Sequence, residues 1–318
     1  MRFHTYIIVH APFDRLFPTT ETGYMIVEAL TDCIYLIKGE NISSFPPSYS
    51  ILIRDEEVVL IDTGCGIQNL KKIKKEYGID YVINSHAHPD HAAGNWVFEG
   101  SPIHVPEEVF EVSGNIAALA EIFSSKELAP VTQGYMRDLW GFKDCRPTES
   151  YNERAVFRFG KTTLEPIYTP GHSKDHYCLY ESNERILFSF DYDLTLFPWY
   201  GLKESSILEF RESVRKLKAL SPKVVVSSHR GTVTEDIAAE FDRFCRRIDA
   251  RGEKILSLLD SAKTIEQLVE LAPIYGSFPY MEPLLRFWEA QMIGKHLEQL
   301  EINGKVKRHG DSYIRSKR

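Results

Sequence analysis

Three histidines and an aspartate lie within six consecutive positions of this sequence, and these residue types are common metal ligands. The segment NSHAHPDHAAGN, residues 84–95, contains His86, His88, Asp90 and His91. Neutral imidazole and carboxylate suit a borderline cation such as Zn²⁺, and close spacing lets one loop supply several of them. The alternative is a histidine-rich helix start that Asp90 caps. Four such residues within six positions favour a metal site.

The run before this segment predicts where the histidines lie in the fold. Residues 80–83 (DYVI) have strand character, so the histidines are expected just past the C-terminal end of a buried strand, on a loop that enters a helix. Pro89 stiffens the loop between His88 and Asp90. We therefore predict a metal-binding loop between a strand and a helix.

The pattern H-x-H-x-D-H resembles the signature of the metallo-β-lactamase superfamily, and that family's other motifs are present in order along the chain. Upstream, VVLIDTG contains Asp62; downstream, TPGHS contains His172, ILFSFD contains Asp191 and VVVSSHRG contains His229. The resemblance covers about residues 20–235. It implies an αββα fold, a mixed α/β architecture in which two sheets pack face to face with helices outside and metals at one edge.

The resemblance also implies a dinuclear metal site. One ion would be held by His86, His88 and His172, the other by Asp90, His91 and His229, with Asp191 as the bridge. The expected cofactors are two divalent metal ions, zinc or a mixture with iron or manganese. They would share a hydroxide as the nucleophile, because each cation lowers the pKa of bound water from about 15.7 toward about 7.

Two aspartates have further implied roles in that site. Asp90 is a candidate proton acceptor during turnover, in addition to its role as a ligand. Asp62 would orient the ligand loop without touching a metal itself; the alternative is a turn residue before Gly64. Asp193 competes with Asp191 for the bridging role, and the alignment of ILFSFD with the family's motif favours Asp191.

Two positions depart from the family's pattern. Phe190, before Asp191, and Ser228, before His229, each stand where glycine is common. Neither departure removes a ligand. The second position of the ligand signature is His88 rather than glutamate, which argues against the diiron redox branch and favours a hydrolase.

Elsewhere, short β-rich runs alternate with helical patterns, as the αββα fold requires. Strands are expected at residues 5–9, 24–29, 33–36, 50–53, 58–61, 80–83, 102–105, 155–159, 162–168, 176–182, 185–190 and 223–226. Helices are expected at residues 68–77, 106–112 and 206–220, the last opened by Ser205. His104 lies inside a predicted strand and is expected to be structural.

We predict a catalytic domain at residues 1–234 and a second domain at residues 235–318. Residues 115–151 interrupt the pattern with a helix-like segment, IAALAEIFSSKEL, and then a loop rich in aromatic and cationic residues. We interpret them as an insertion over the active site that grips an apolar or aromatic group bearing an anion. The alternative is a long loop packed against the core.

The C-terminal region has the pattern of a small winged-helix-like domain. A helical stretch extends through Asp260 and is followed by a capped helix at 264–271, aromatic residues at 275–280, a helix at 282–300 and a hairpin-like turn at Asn303-Gly304. We expect Phe278, Tyr280 and Trp288 to face the catalytic domain or a second subunit, so a homodimer is possible. This tail resembles a superfamily branch that contains acyl-thioester hydrolases and a mitochondrial endoribonuclease.

That branch also has a G-H-[ST]-x-D-H form of its third motif. The matching residues here run from Gly171 to His176, GHSKDH, and include Asp175. His176 is expected to support a ligand or to be structural. The motif is therefore a second point of resemblance to this branch, which contains both kinds of enzyme.

Composition agrees with a globular enzyme. The chain has 318 residues, 43% of them hydrophobic, which is enough for a sizeable core and an appended domain. Its net charge of −7 argues against a globally basic nucleic-acid binder. The cysteines are odd in number and scattered, which indicates a reducing cytoplasm; they are Cys33, Cys65, Cys145, Cys178 and Cys245. No stretch approaches the roughly 20 apolar residues of a membrane span, so we predict a soluble protein.

The resulting prediction is a metallo-hydrolase that acts on a small-molecule, ester-like substrate, above all an acyl thioester. The aromatic residues Phe197, Trp199 and Tyr200, soon after Asp191, support it, and the substrate-binding residues are otherwise unknown. The alternative is a nuclease that acts on RNA or DNA, supported by a basic tail of Lys305, Lys307, Arg308, Arg315, Lys317 and Arg318. A third hypothesis is a non-catalytic metal-binding or sensing module.

Overall fold

The computed structural model of the protein describes residues 25–39 and 47–316, and the strand predicted at residues 5–9 lies outside them. The first sheet has seven strands in the order β1-β2-β3-β4-β5-β6-β7. These are β1 Val27–Ala29, β2 Ile34–Ile37, β3 Ser50–Arg54, β4 Val58–Ile61, β5 Tyr81–Ile83, β6 Ile103–Pro106 and β7 Glu149–Tyr151. Neighbouring strands are antiparallel as far as β4 and parallel from β4 to β7.

The second sheet has six strands in the order β13-β12-β11-β10-β9-β8. These are β8 Phe157–Arg158, β9 Thr163–Tyr168, β10 Tyr177–Glu181, β11 Ile186–Phe190, β12 Val224–Ser227 and β13 Gly231–Val233. Strands β11 and β12 are parallel, and the other neighbours are antiparallel. The loops that follow β9, β11 and β12 contain His172, Asp191 and His229.

Eight α-helices are described within residues 25–39 and 47–316. These are α1 Ile67–Tyr77, α2 Pro89–Ala92, α3 Ile116–Phe123, α4 Ala129–Trp140, α5 Ile207–Ala219, α6 Ile237–Ser257, α7 Ile265–Glu270 and α8 Glu282–Ile302. The Thr264 and Gln267 side chains form a reciprocal capping box at the start of α7, as its sequence indicates.

The two sheets face each other, because alternate apolar side chains of each sheet point into one shared core. Ile51 and Ile61 of the first sheet belong to the same buried cluster as Leu179 and Phe188 of the second. On the outer faces, α1 packs on the first sheet and both α5 and α6 pack on the second. The predicted αββα fold is confirmed.

The region between β6 and β7 differs from the sequence prediction. The loop expected after residue 128 is instead α4, which has Pro130 in its first turn and ends at Gly141 in the left-handed conformation, φ 66°. Only a short 3₁₀ turn, Glu107–Val109, forms where a helix was expected at 106–112. Residues 149–151, taken as the end of the insertion, form β7 and pair with β6.

Two other local expectations are also wrong. Ser206, rather than Ser205, caps α5, because its Oγ accepts a hydrogen bond from the Glu209 amide. The Asn303-Gly304 pair ends α8 rather than turning a hairpin. The hairpin turn lies at Gly310 and Asp311, between β15 Val306–His309 and β16 Ser312–Arg315.

The C-terminal region packs around α8, which buries one broad face. Its buried residues are Leu284, Leu285, Trp288, Glu289, Met292, Ile293, His296, Leu297 and Leu300. Strands β14 Lys263–Thr264, β16 and β15 form a small third sheet beside it. In the same region, Phe241 and Phe244 of α6 share a cluster with Phe210 of α5. The predicted boundary at residue 234 and the winged-helix likeness stay predictions.

Among the residues that the structure describes, no helix is both long enough and apolar enough to cross a bilayer. The two longest, α6 and α8, each have 21 residues and carry charged side chains along their length. Their apolar residues are accounted for by packing inside the protein.

Candidate metal centre

Seven side chains from both sheets converge at one edge of the sandwich. His86, His88, His172 and Asp191 form one group, and Asp90, His91, Asp191 and His229 form a second; within each group the possible ligand atoms lie within 4.8 Å of one another. The histidines and aspartates of residues 86–91 follow β5, and the other three residues follow β9, β11 and β12. The structure thus brings together every residue predicted as a ligand.

Asp191 lies between the two groups. Its Oδ2 is 3.1 Å from Nε2 of His172 and 3.8 Å from Nε2 of His86. Its Oδ1 is 2.9 Å from Nε2 of His91 and 3.6 Å from Nε2 of His229. Because each oxygen faces a different group, Asp191 has the geometry of a bridging carboxylate. Asp193, the competing candidate, belongs to neither group.

Several buried polar atoms in these groups make no hydrogen bond to any part of the chain that the structure describes. They are Nε2 of His86, His88 and His91, and Oδ1 of Asp191. A buried polar group without a partner costs about 1–3 kcal/mol. Imidazole nitrogens and carboxylate oxygens that point at each other without hydrogen bonds fit divalent metal ions, which such donors bind. The assignment of each residue to one ion stays a prediction.

The protonation states of His86, His88 and Asp191 suit metal binding. Burial, reinforced by neighbouring histidines, lowers the pKa of His86 and His88 well below the ordinary value, so both rings are neutral and can offer a lone pair. Burial acts to raise the pKa of Asp191, but His91 and His172 outweigh it and hold that pKa well below its usual range. Asp191 is therefore ionised.

Asp62 lies behind the ligand loop and contacts it through Ser85 and His91. Its buried carboxylate accepts hydrogen bonds from the Ser85 amide (2.7 Å) and the Ser85 hydroxyl (2.8 Å), and it lies 2.7 Å from Nδ1 of His91. Its backbone is left-handed, φ 58°, a conformation rare outside glycine. A Cβ at Gly64 would collide with the carbonyl of Asp90, so that glycine is required by the close approach of the two loops.

We expect Asp62→Asn to weaken metal binding by about 10- to 100-fold, the usual cost of losing a group that orients a ligand. The asparagine side chain has one accepting oxygen where the carboxylate has two, so it cannot accept all three hydrogen bonds from Ser85 and His91. Its NH₂ group would instead face hydrogen-bond donors. Competition with a chromophoric chelator measures the change. Asp138→Asn, an exposed aspartate of α4, is the matched control. Equal metal affinity in both variants would contradict this role.

Other residues support the ligands through the backbone. Asp175 accepts a hydrogen bond from the Ala87 amide at 2.7 Å, between the two histidines of the loop. His176 is structural: its Nε2 lies 3.3 Å from the Asp191 amide. The Ser205 hydroxyl donates to the carbonyl of His172 at 2.6 Å. The sequence pattern predicts Ser205 as a helix cap, and no local pattern indicates this long-range contact.

Phe190 shows how the chain tolerates its departure from glycine. Its backbone is left-handed, φ 46°, which explains why glycine is common at this position. Its side chain lies in the core between the sheets and is 3% exposed. Burial of the ring offsets the backbone strain, which is on the order of 1–3 kcal/mol.

A cavity of about 500 Å³ opens directly onto the two groups. His88, Asp90, His172, Asp191 and His229 form its polar end. The other walls are mainly aromatic and come from three parts of the chain: Phe123 and Trp140 of the insertion, Phe197 and Trp199 after β11, and Ile274, Tyr275, Tyr280, Leu285 and Trp288 of the C-terminal region. Within the described residues, no lysine or arginine lines it.

The C-terminal wall was only partly predictable. The sequence predicts that Phe278, Tyr280 and Trp288 face the catalytic domain or a second subunit, and the Trp288 indole donates to the carbonyl of Phe123 at 2.7 Å. Tyr280 and Trp288 line the cavity, whereas Phe278 packs in the cluster beside it. The high aromatic content was the only signal for this wall.

Comparison with known proteins agrees with this geometry. The model of the metallo-beta-lactamase superfamily matches residues 44–229, and the chain belongs to that superfamily. It is a hydrolase of this class. It is 25% identical to the acyl-coenzyme A thioesterase MBLAC2 of Homo sapiens over 235 residues, 68% of this chain and 81% of that protein. It is 23% identical to the beta-lactamase-like protein 2 homolog of Caenorhabditis elegans over 285 residues, 85% and 86% of the two chains.

Two solved structures share the fold. A metallo-beta-lactamase family protein from Thermus thermophilus has a TM-score of 0.69 at 23% identity and covers 91% of this chain and 100% of its own. A beta-lactamase domain protein from Burkholderia ambifaria has a TM-score of 0.70 at 19% identity, with 96% of each chain covered. The two matches leave at most about a tenth of this chain uncovered, and residues 235–318 make up more than that. Both matches therefore extend beyond the catalytic motifs into the C-terminal region.

Proposed function

We propose that this protein hydrolyses an acyl thioester at a centre of two divalent metal ions, zinc in the first instance. His86, His88 and His172 would hold one ion, Asp90, His91 and His229 the other, and Asp191 both. Such a centre supplies Lewis acidity at a carbonyl oxygen and lowers the pKa of a water molecule. The chain's own part is to hold the reacting group beside the centre and to exclude bulk water.

The cavity is the observation that carries the thioester proposal. Its walls are mainly aromatic and aliphatic, and its polar lining consists of five of the proposed ligands together with Asp193 and Thr195. An apolar acyl group buried there gains about 25 cal/mol per Å² removed from water, and it places its carbonyl beside His88 and Asp191. The thioesterase named among the relatives acts on this class of bond, which supports the same substrate.

We infer that Asp90 accepts a proton during the reaction. It lines the cavity, and its Oδ2 lies 3.3 Å from Nε2 of His229. Its backbone carbonyl accepts a hydrogen bond from the Ser48 hydroxyl at 2.6 Å, which fixes the residue at the cavity mouth. A carboxylate held within reach of the reacting atoms can take the proton that an attacking water loses.

The feature that supports the alternative, a nuclease, is the basic hairpin β15–β16, and its surroundings weaken that support. Lys305 there pairs with Glu253 at 2.9 Å, and Arg308 lies 3.9 Å from Asp311. These neighbours partly neutralise the hairpin. The helix before it, α8, buries nine of its side chains inside the protein, so this face is not free to enter a groove of nucleic acid. Phosphodiester binding also needs cations, whereas the cavity walls supply none among the described residues.

A substrate panel tests the choice between the two activities. We expect metal-dependent turnover of an acyl thioester and little turnover of phosphodiesters, with His88→Ala abolishing the activity because it removes a proposed ligand. Turnover should change little with salt and in the triple variant K305A/K307A/R308A. RNA or DNA cleavage that falls steeply with salt, needs those three cations and occurs without acyl hydrolysis would establish the alternative. Absence of all turnover after metal restoration would favour a sensing module.

A further inference from the structure

An arginine is buried in the C-terminal half of the molecule. Arg251 of α6 is 9% exposed and makes no ion pair with a carboxylate in the described parts of the chain. A guanidinium carries its charge at any physiological pH, so its burial is costly unless other contacts offset the lost hydration. Its contacts therefore show which segment depends on it.

All of these contacts are made with residues 197–200, the segment between β11 and α5. Nη1 of Arg251 donates to the carbonyl of Pro198 at 2.5 Å and to the hydroxyl of Tyr200 at 3.1 Å. Its guanidinium carbon lies 4.2 Å from the centre of the Phe197 ring. A planar guanidinium that lies over an aromatic ring while it donates to two oxygens suits arginine, since lysine has no planar group to place over the ring.

Tyr200 extends this contact to α8. Its hydroxyl lies 2.8 Å from Nε2 of His296. Burial, assisted by the charges of Arg251 and Arg211, lowers the pKa of His296 to about 3, so the ring is neutral and can accept a hydrogen bond. Tyr200 can then accept from Arg251 and donate to His296, which links α6, the segment and α8.

Trp199, in the same segment, contacts both the cavity and the proposed metal centre. Its backbone carbonyl lies 3.0 Å from Nδ1 of His172, and its indole donates to the hydroxyl of Tyr275 at 2.9 Å. Its ring lies edge-on to Trp288, with centres 5.3 Å apart, and lines the cavity. Because the carbonyl accepts from Nδ1–H, His172 presents Nε2 toward Asp191 and His88.

A second buried charged residue holds the opposite side of Trp199. Glu289 of α8 is fully buried and accepts hydrogen bonds from the amides of Ile274 (2.8 Å) and Tyr275 (3.0 Å). Ile274 and Tyr275 line the cavity. Arg251 thus holds residues 197–200, and Glu289 holds residues 274–275. The hydrogen bond between Trp199 and Tyr275 connects the two segments.

We propose that Arg251 is a positioning residue that sets the orientation of His172 and the shape of the cavity wall together, by holding residues 197–200. The proposal goes beyond hydrolysis itself and rests on the proposed function only in taking His172 as a metal ligand. It makes the C-terminal region part of the catalytic apparatus, although none of the proposed ligands comes from it.

The test compares Arg251→Met, which keeps an unbranched side chain but removes the guanidinium, with Arg246→Met, a change at an exposed arginine of the same helix. Zn²⁺ is titrated into stripped protein in competition with a chromophoric chelator, and His172→Ala identifies the equivalent that depends on His172. We expect Arg251→Met to weaken that equivalent by about 10-fold or more and to leave the other within about two-fold. Arg246→Met should match the parent protein.

A second measurement concerns the cavity. For acyl thioesters of increasing chain length, Arg251→Met should raise KM increasingly with length, because longer chains bury more surface against the walls to which Phe197 and Trp199 contribute. Arg251→Lys keeps the charge but loses the stacked plane, so we expect an intermediate loss of Zn²⁺ affinity. If Arg251→Met does not fold, Arg251→Lys carries the test.

Two outcomes would overturn the proposal. One is a lower melting temperature of the stripped variant with both Zn²⁺ affinities of the folded protein unchanged, which is the signature of a merely structural arginine. The other is an equal loss of Zn²⁺ affinity at both equivalents, which would show that Arg251 does not act through His172. Zinc binding is measured without substrate, so failure of the thioesterase proposal would leave this result interpretable.

Discussion

Replacing Asp191 with alanine is expected to abolish hydrolysis and to lower the metal content from close to two ions per chain to one or fewer. Its two oxygens face different groups, with Oδ2 3.1 Å from His172 and Oδ1 2.9 Å from His91, so one substitution removes a donor from both. Loss of the metal's several kcal/mol of charge stabilisation corresponds to about 1,000-fold or more in kcat/KM. Elemental analysis and turnover of an acyl thioester measure the two effects.

Asp193→Ala is the matched control for metal content. Asp193 stands two positions further on, is also buried, and belongs to neither ligand group. Burial, with a contribution from Asp191 and against the opposing effect of His229, raises its pKa to about 6. We expect this variant to keep close to two ions. A protein that loses metal with Asp193→Ala but keeps it with Asp191→Ala would reverse the assignment of the bridge.

Truncation after residue 234 is expected to yield protein that does not fold. It removes α6 and α8, whose Phe241, Phe244, Leu284, Leu285, Trp288 and Met292 are buried against the second sheet and the insertion. At about 1.5–3 kcal/mol for each large side chain, the lost burial is on the order of 10–20 kcal/mol. This matches or exceeds the roughly 5–15 kcal/mol by which domains are stable. Soluble yield and circular dichroism measure the outcome.

Truncation after residue 303 is the control for removing chain without removing the shared core. It deletes the β15–β16 hairpin, whose buried Val306 and Tyr313 pack only with the C-terminal cluster around Leu297. We expect a soluble, metal-binding protein with a lower melting temperature. A soluble and fully active protein ending at residue 234 would show that α6 and α8 are dispensable, contrary to the packing.

The ligands could be predicted from the sequence because their chemistry is local. Four of the seven lie within six positions, and each of the others directly follows an apolar run that folds as a strand. Parallel and face-to-face packing then brings the ends of those strands to one edge, whatever the loops do. The αββα fold was implied by the resemblance to the superfamily, and the alternation of strand and helix patterns agreed with it.

Only the tertiary structure decided how the region beyond the ligands is used. No local pattern shows that Arg251 stacks on Phe197, 54 positions earlier, or that the carbonyl of Trp199 faces His172. The cavity wall likewise joins the insertion to α8 through Phe123 and Trp288, far apart along the chain. Such contacts depend on how the helices pack once the sheets have formed. Every residue has a backbone carbonyl, so a sequence motif cannot indicate which carbonyl makes a contact. The sequence alone therefore determined the metal-binding chemistry, while long-range packing decided the shape of the cavity beside it.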